Sequence, residues 1–349
     1  MSQDVDLRRR RFLGTAALTM VATSFGAFGC AKAYSEERRP ASPPIKPGAH
    51  TSLGPIRQID AGLLNVGYAE AGPADGPAVL LLHGWPYDIH SFVDVAPLLA
   101  SAGYRVIVPH LRGHGTTRFL SDKTFRNAQQ SAVAFDILAL MDALRIPKAI
   151  LAGYDWGGAH CQHHRRALAR AMQGDGLGQR LSDQQSRTQP TAAPPKAEHG
   201  WWYQYYFATE RGRAGYGAYR RELANLVWKV NSPKWGFDDT TFERSAASFD
   251  NPDYIDIVIH NYRWRLSLAA GEPRYDEVEQ RLAAGPVISV PTITLDGDSD
   301  GVAPATDGTA YAAKFSGRRT HRIVQGAGHN LPQEAPQAFA DAVIEVDRY

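Results

Sequence analysis

Sulfur is scarce in this chain. Two cysteines, Cys30 and Cys161, stand among 349 residues, which excludes a disulfide-stapled scaffold even in an oxidising compartment. An excess of one charge sign is also missing: 38 Lys and Arg face 36 Asp and Glu, for a formal net charge of +2. Residues 1–33 hold five of the basic and two of the acidic side chains, so the remainder carries about −1. No basic face follows from that balance, and nucleic acid is excluded as an expected partner. No cofactor-binding motif and no metal-ligand set stands out, so neither a cofactor nor a metal is expected. What remains is ordinary for a globular enzyme: 44% hydrophobic and 21% charged residues, in a length that accommodates one large α/β domain and an inserted subdomain. Nothing in the composition specifies an oligomeric state.

The N-terminus reads as a targeting segment. Arg8-Arg9-Arg10-Arg11-Phe12-Leu13 leads into a modestly apolar run from Gly14 to Gly29, and Ala31-Lys32-Ala33 supplies a small-residue cleavage site. Paired arginines followed by Phe-Leu resemble a twin-arginine export signal. Residues 1–33 are therefore expected to direct export and the mature protein to be periplasmic or secreted, touching membrane only through that signal. A membrane anchor competes with this reading, but the run is short and broken by Gly and Thr. Acylation of Cys30 is a third reading, which Phe28 before Gly29-Cys30 fits poorly. Residues 34–55, rich in Pro, Ser and charge, read as a linker.

The body alternates strand and helix signals. Leu63–Glu70, Ala78–Leu82, Arg105–Val108 and Ala149–Ala152 read as strands, the last three as continuous apolar runs covered on both faces. Ser91–Ser101 has helical spacing. So does Ala132–Leu144, which is expected to bury Phe135, Leu138, Met141 and Leu144 on one side. From Trp201 the chain is densely aromatic and helical to about residue 284. Alternation then resumes with a strand over Pro291–Leu295, a helix over Thr309–Phe315, a strand over His321–Val324 and a helix over Pro336–Val346. The expected fold class is α/β: a mostly parallel central sheet with helices on both faces and an inserted helical lid. The core occupies residues 56–194 and 286–349, and the lid residues 195–285.

Chemistry concentrates at Gly153-Tyr154-Asp155-Trp156-Gly157, between an apolar strand and a helix start. This is the frame of a nucleophile elbow, with aspartate where esterases carry serine. Taken alone, such a frame is also a common turn. A serine esterase is excluded, because the elbow holds no serine. A carboxylate can instead displace a leaving group from an sp3 carbon and leave an ester that water cleaves. His83-Gly84-Trp85-Pro86 follows an earlier strand, and the backbone N–H groups of Trp85 and Trp156 are candidates for an oxyanion hole. Of the 12 histidines, most are expected on the surface. His329, in Gly326-Ala327-Gly328-His329-Asn330 between the last strand and the last helix, is the candidate general base. Its orienting acid is sought in Gly297-Asp298-Ser299-Asp300, where the spacing to Pro304 favours Asp300 over Asp298.

The order HGWP, G-Y-D-W-G-G, lid, G-x-x-D, G-x-G-H resembles the α/β-hydrolase superfamily in its epoxide hydrolase branch, over roughly residues 55–349. The resemblance implies two lid tyrosines that hydrogen-bond the epoxide oxygen. Trp202-Tyr203-Gln204 and Asn261-Tyr262-Arg263 match the two segments that carry them, whereas Tyr205, Tyr206 and Tyr254 read as packing residues. The implied reaction opens a small apolar epoxide to a vicinal diol. Asp155 forms a covalent ester, Tyr203 and Tyr262 stabilise the departing oxygen, and His329, oriented by Asp300, activates the hydrolytic water. Haloalkane dehalogenases share the aspartate elbow and the following Trp, and form the alternative.

Two departures stand out. His110 replaces the acid of a P-D-x-R-G-x-G turn in Pro109-His110-Leu111-Arg112-Gly113-His114-Gly115. Between Ala159 and Pro194 the chain contains no Val or Ile, so no buried parallel strand is expected in residues 160–193. A compensated frameshift in the gene would explain this stretch, and a catalytically inactive relative is a further reading. The histidines and cysteine at 160–164 are attributed to chance basic composition rather than to a metal site.

Overall fold

Five-residue apolar runs become the middle of a sheet. The computed structural model describes residues 46–160, 167–173, 192 and 194–349, all within one compact unit, Ala41–Tyr349. In chain order the elements begin with β1 (Arg57–Ala61), β2 (Leu64–Ala71), β3 (Ala78–Leu82), α1 (Val95–Ser101), β4 (Arg105–Pro109), β5 (Arg118–Phe119), α2 (Gln130–Ala143), β6 (Ala149–Gly153), α3 (Trp156–His160) and β7 (Ala167–Gln173). A helical block follows: α4 (Pro195–Gly200), α5 (Trp202–Ala208), α6 (Glu210–Asn231), α7 (Asp239–Ala246), α8 (Tyr254–Arg265) and α9 (Asp276–Ala283). The chain then completes β8 (Thr292–Gly297), β9 (Arg319–Val324), α10 (Leu331–Glu334) and α11 (Pro336–Val346). Among the described residues, no helix is long and apolar enough to cross a membrane.

The strands order as β1-β2-β4-β3-β6-β7-β8-β9, with β5 beside β2. Pairing is antiparallel at β1/β2, β2/β4 and β2/β5 and parallel from β4 through β3, β6, β7 and β8 to β9. Successive side chains leave a strand on opposite faces. Val79 and Leu81 thus join one core with α1, α11 and the helical block, and Leu80 and Leu82 join the other with α2. Each fully buried Val or Leu contributes roughly 1.5–3 kcal/mol, so this central strand, buried from Val79 to Leu82, anchors the loop that follows it.

Two expectations require correction. First, a strand does occupy the slot beside β6. Residues 167–173 pair in parallel with both neighbours, placing Ala171 opposite Ala152 and Ile293. Strands β6 and β8 each present N–H and C=O groups that need partners, and that demand outweighs the roughly 1 kcal/mol span of intrinsic β preference. Residues 161–166, 174–191 and 193, on which the frameshift reading and the polar run largely rest, lie outside the described residues, as do Cys161, His163 and His164. Second, α2 buries Val133, Ile137, Leu140 and Met141, while Phe135 is 45% exposed. The buried face is turned by Asp136, whose carboxylate takes Arg112 Nε at 2.6 Å and Nη2 at 2.8 Å. The helix expected over Thr309–Phe315 is present as a 3₁₀ helix, Thr309–Lys314, with Gly308 before it in the left-handed region at φ 71°.

Near the start of the described chain, the N–H groups of Gly48 and His50 donate to the Asp94 carboxylate at 2.6 and 2.8 Å. Part of the span 34–55 is therefore docked against the start of α1.

Candidate active site

The turn from β6 into α3 is sharp enough to need unusual backbone. Asp155 has φ 49°, in the left-handed region that side-chain-bearing residues seldom occupy. The glycines around it are steric necessities: a Cβ at Gly157 would lie 1.9 Å from the Leu82 carbonyl oxygen, and one at Gly84 would lie 2.6 Å from Asp155 Cβ. The turn presses Asp155 against the loop after β3. There the Trp85 N–H donates to Asp155 Oδ1 at 2.7 Å. Trp156 opens α3 directly after the carboxylate, and its indole N–H donates to Tyr262 Oη at 3.3 Å.

His329 comes from the loop between β9 and α10 and is fully buried. Its Nδ1 lies 2.8 Å from Asp300 Oδ2, and its Nε2 lies 3.5 Å from Asp155 Oδ2. Asp300 Oδ1 is held by the N–H groups of Val302 and Ala303 at 2.7 and 3.0 Å, which leaves Oδ2 to the imidazole. Asp298 is exposed, and its Oδ1 accepts from Ser299 Oγ at 2.6 Å and the Gly326 N–H at 2.8 Å. The structure thus places Asp300 against His329 and keeps Asp298 on the rim.

Tyr203 on α5 and Tyr262 on α8 meet with ring centroids 5.3 Å apart. Both rings pack on Trp85, each at 5.1 Å. Burial pushes the Tyr262 phenol well above its ordinary ionisation range, and the nearby Tyr203 and Asp155 push it the same way. Tyr262 therefore stays protonated and able to donate. All seven residues singled out in the sequence (Trp85, Asp155, Trp156, Tyr203, Tyr262, Asp300 and His329) are buried and linked through these contacts. Tyr254 is a buried packing residue, stacked on Phe249 at 5.0 Å, whereas Tyr205 is 49% exposed.

Two supporting residues left no mark in the sequence. Tyr216 Oη accepts from the Trp85 indole at 2.9 Å, and the Trp228 indole donates to the Pro86 carbonyl at 2.7 Å. Both lie on α6, and no local motif distinguishes them from the other aromatics of the helical block.

His110 is also explained by the tertiary structure. With His83 and His114 it is buried beneath the site. Each is accommodated as a neutral ring. The Leu111 N–H donates to His83 Nε2 at 3.2 Å, and His83 Nδ1–H donates to the Gly84 carbonyl at 2.9 Å. Burial pulls the ionisation of His110 down to about 4, and lowers those of His83 and His114.

Comparison with known proteins bears on the family of this chain. A family model described as the alpha/beta hydrolase fold matches residues 77–163. The crystal structure of a candidate epoxide hydrolase from Klebsiella pneumoniae superposes with a TM-score of 0.78 at 49% identity, covering 84% of this chain and 97% of that one. An epoxide hydrolase of Caballeronia sordidicola is 33% identical over 107 residues, 31% of this chain and 32% of that protein. A haloalkane dehalogenase of Mycobacterium marinum is 33% identical over 223 residues, 60% of this chain and 70% of that protein.

Proposed function

We infer that this chain, which belongs to the α/β-hydrolase superfamily in its epoxide hydrolase branch, hydrolyses a small apolar epoxide to a vicinal diol. One observation carries the reading. Two phenols from separate helices, Tyr203 and Tyr262, meet beside the indole of the residue that follows the aspartate, and that indole donates to one of them. Opening an epoxide leaves an alkoxide too basic to depart unaided, and paired O–H donors are what that charge requires.

Asp155 Oδ2 attacks a ring carbon as the C–O bond to the ring oxygen breaks. Tyr203 and Tyr262 hold that oxygen, and one phenol supplies its proton, later recovered from solvent. Asp155 Oδ1, already at the Trp85 N–H, becomes the ester carbonyl oxygen. His329 Nε2 then takes a proton from water while Asp300 holds Nδ1. Hydroxide adds to Cγ, with the N–H groups of Trp85 and Trp156 facing the developing oxyanion. The diol leaves with Oδ2 and the proton carried by His329. The helical block 195–285 is read as a lid over this chemistry, and residues 1–33 as a twin-arginine signal that delivers the enzyme to the periplasm or beyond.

The dehalogenase reading draws on the Mycobacterium marinum relative. Against it, the Trp156 indole N–H that would hold a halide is engaged by Tyr262, and the Trp85 indole N–H by Tyr216. A single turnover of styrene oxide in ¹⁸O-water tests both. The ester route puts label into Asp155 and none into the first diol, and label in that first diol would overturn it. Halide release from 1,2-dibromoethane without epoxide turnover would favour the dehalogenase.

A further inference from the structure

We propose that Ser232, at the C-terminal end of helix α6, is a positioning residue that seats His329 for ester hydrolysis; this rests on the function proposed above. Ser232 is buried. Its Oγ accepts the His329 backbone N–H at 3.0 Å and the Asn330 N–H at 3.4 Å, and donates to Glu334 Oε1 at 2.6 Å. The Glu334 carboxylate also takes the N–H groups of Gly328 at 2.7 Å and Asn330 at 3.0 Å. One hydroxyl and one carboxylate therefore collect the backbone donors on both sides of His329. Contact is tight: a Cβ at Gly328 would lie 2.8 Å from Ser232 Cα.

The same helix end holds the acid loop. The Gly301 N–H, next to Asp300, donates to the Asn231 carbonyl at 2.9 Å, and a Cβ at Gly301 would lie 2.0 Å from the Val230 carbonyl oxygen. Through Tyr216 and Trp228, helix α6 also grips the Trp85–Pro86 loop. A single element of the insertion is thus tied to the loops that carry Trp85, Asp300 and His329.

The two chemical steps do not need these loops equally. Ester formation uses Asp155 and the phenols, whereas His329 acts only in ester breakdown. Loosening the seat of His329 should slow the second step alone, because a displacement of about 1 Å costs roughly 10²-fold in rate.

The test is rapid mixing of the full chain with styrene oxide, with quenched samples weighed by intact-protein mass spectrometry. Ser232→Ala should form the Asp155 ester within twofold of the wild-type rate and break it down about 10- to 100-fold more slowly, so that ester accumulates. Ser232→Thr, which keeps the hydroxyl, should recover most of the breakdown rate. A parallel loss of both steps would indicate a merely structural role, and unchanged breakdown would remove the role; either overturns the proposal. Should Ser232→Ala fail to fold, Glu334→Gln is read in the same assay against the same outcomes. Unlabelled Asp155 after a wild-type turnover in ¹⁸O-water would refute the proposed function itself, and this inference with it, whereas labelled wild-type Asp155 beside unchanged variant breakdown refutes the inference alone.

Discussion

His329 Nε2 stands 3.5 Å from Asp155 Oδ2, close enough to share a proton pathway with the carboxylate yet longer than a good hydrogen bond. That spacing suits a base that acts on water at the aspartate carbon rather than on the aspartate itself. His329→Gln should therefore still form the ester but fail to release it. General-base loss typically costs about 10²–10⁴-fold, and intact mass should show the enzyme trapped with one substrate equivalent. Rapid turnover by this variant would exclude His329 as the base.

The phenol pair makes a different prediction. Tyr203→Phe and Tyr262→Phe should each lower ester formation by about 10²–10³-fold, the usual cost of one donor to a developing oxyanion. The double variant should form almost no ester. Both single variants should keep their melting temperature within a few degrees, because the rings remain packed on Trp85. Full activity in the double variant would refute the alkoxide role.

The two acids of the same loop should separate cleanly. Asp300→Asn alters the group 2.8 Å from His329 Nδ1 and should slow ester breakdown by orders of magnitude. Asp298→Asn alters an exposed carboxylate bonded to Ser299 and Gly326, and should leave kcat within about twofold. Comparable losses in the two variants would count against the assignment.

Acid stability should depend on His110. Burial holds its ionisation at about 4, against 6.5 for an unburied imidazole. Between those values the unfolded chain binds a proton that the folded chain refuses. The stability is fully present above about pH 6.5 and falls as pH drops toward 4, by up to about 1.4 kcal/mol per pH unit. His83 and His114, also lowered, act in the same direction. Melting temperatures measured from about pH 7.5 to 5 should fall less steeply for His110→Asn than for the parent. Equal slopes would show that His110 does not contribute.

Much of the architecture could be read from local sequence because its causes are local. Ala78–Leu82 and Ala149–Gly153 are apolar throughout, as strands covered on both faces must be, and Gly153 and Gly157 flank Asp155 because nothing larger fits against the Leu82 carbonyl. Loop identity followed from the same short-range requirements, which is why Asp155, Trp85 and His329 were identifiable before any fold was known. Long-range choices were not accessible that way. Spacing to Pro304 favoured Asp300 over the chemically similar Asp298, but the contact with His329 that sets them apart is a tertiary one. A strand over Ala167–Gln173 arises because its neighbours need backbone partners, whatever its own residues prefer. The inward turn of Asp136, the neutrality of His110 and the seating of His329 on Ser232 each depend on what packing brings against a side chain from elsewhere. Sequence alone determined the apolar strands, the elbow turn and the reactive side chains, since these answer to backbone sterics and nearest neighbours. Tertiary structure decided which of those groups are partners, since pairing depends on distances between segments tens to hundreds of residues apart.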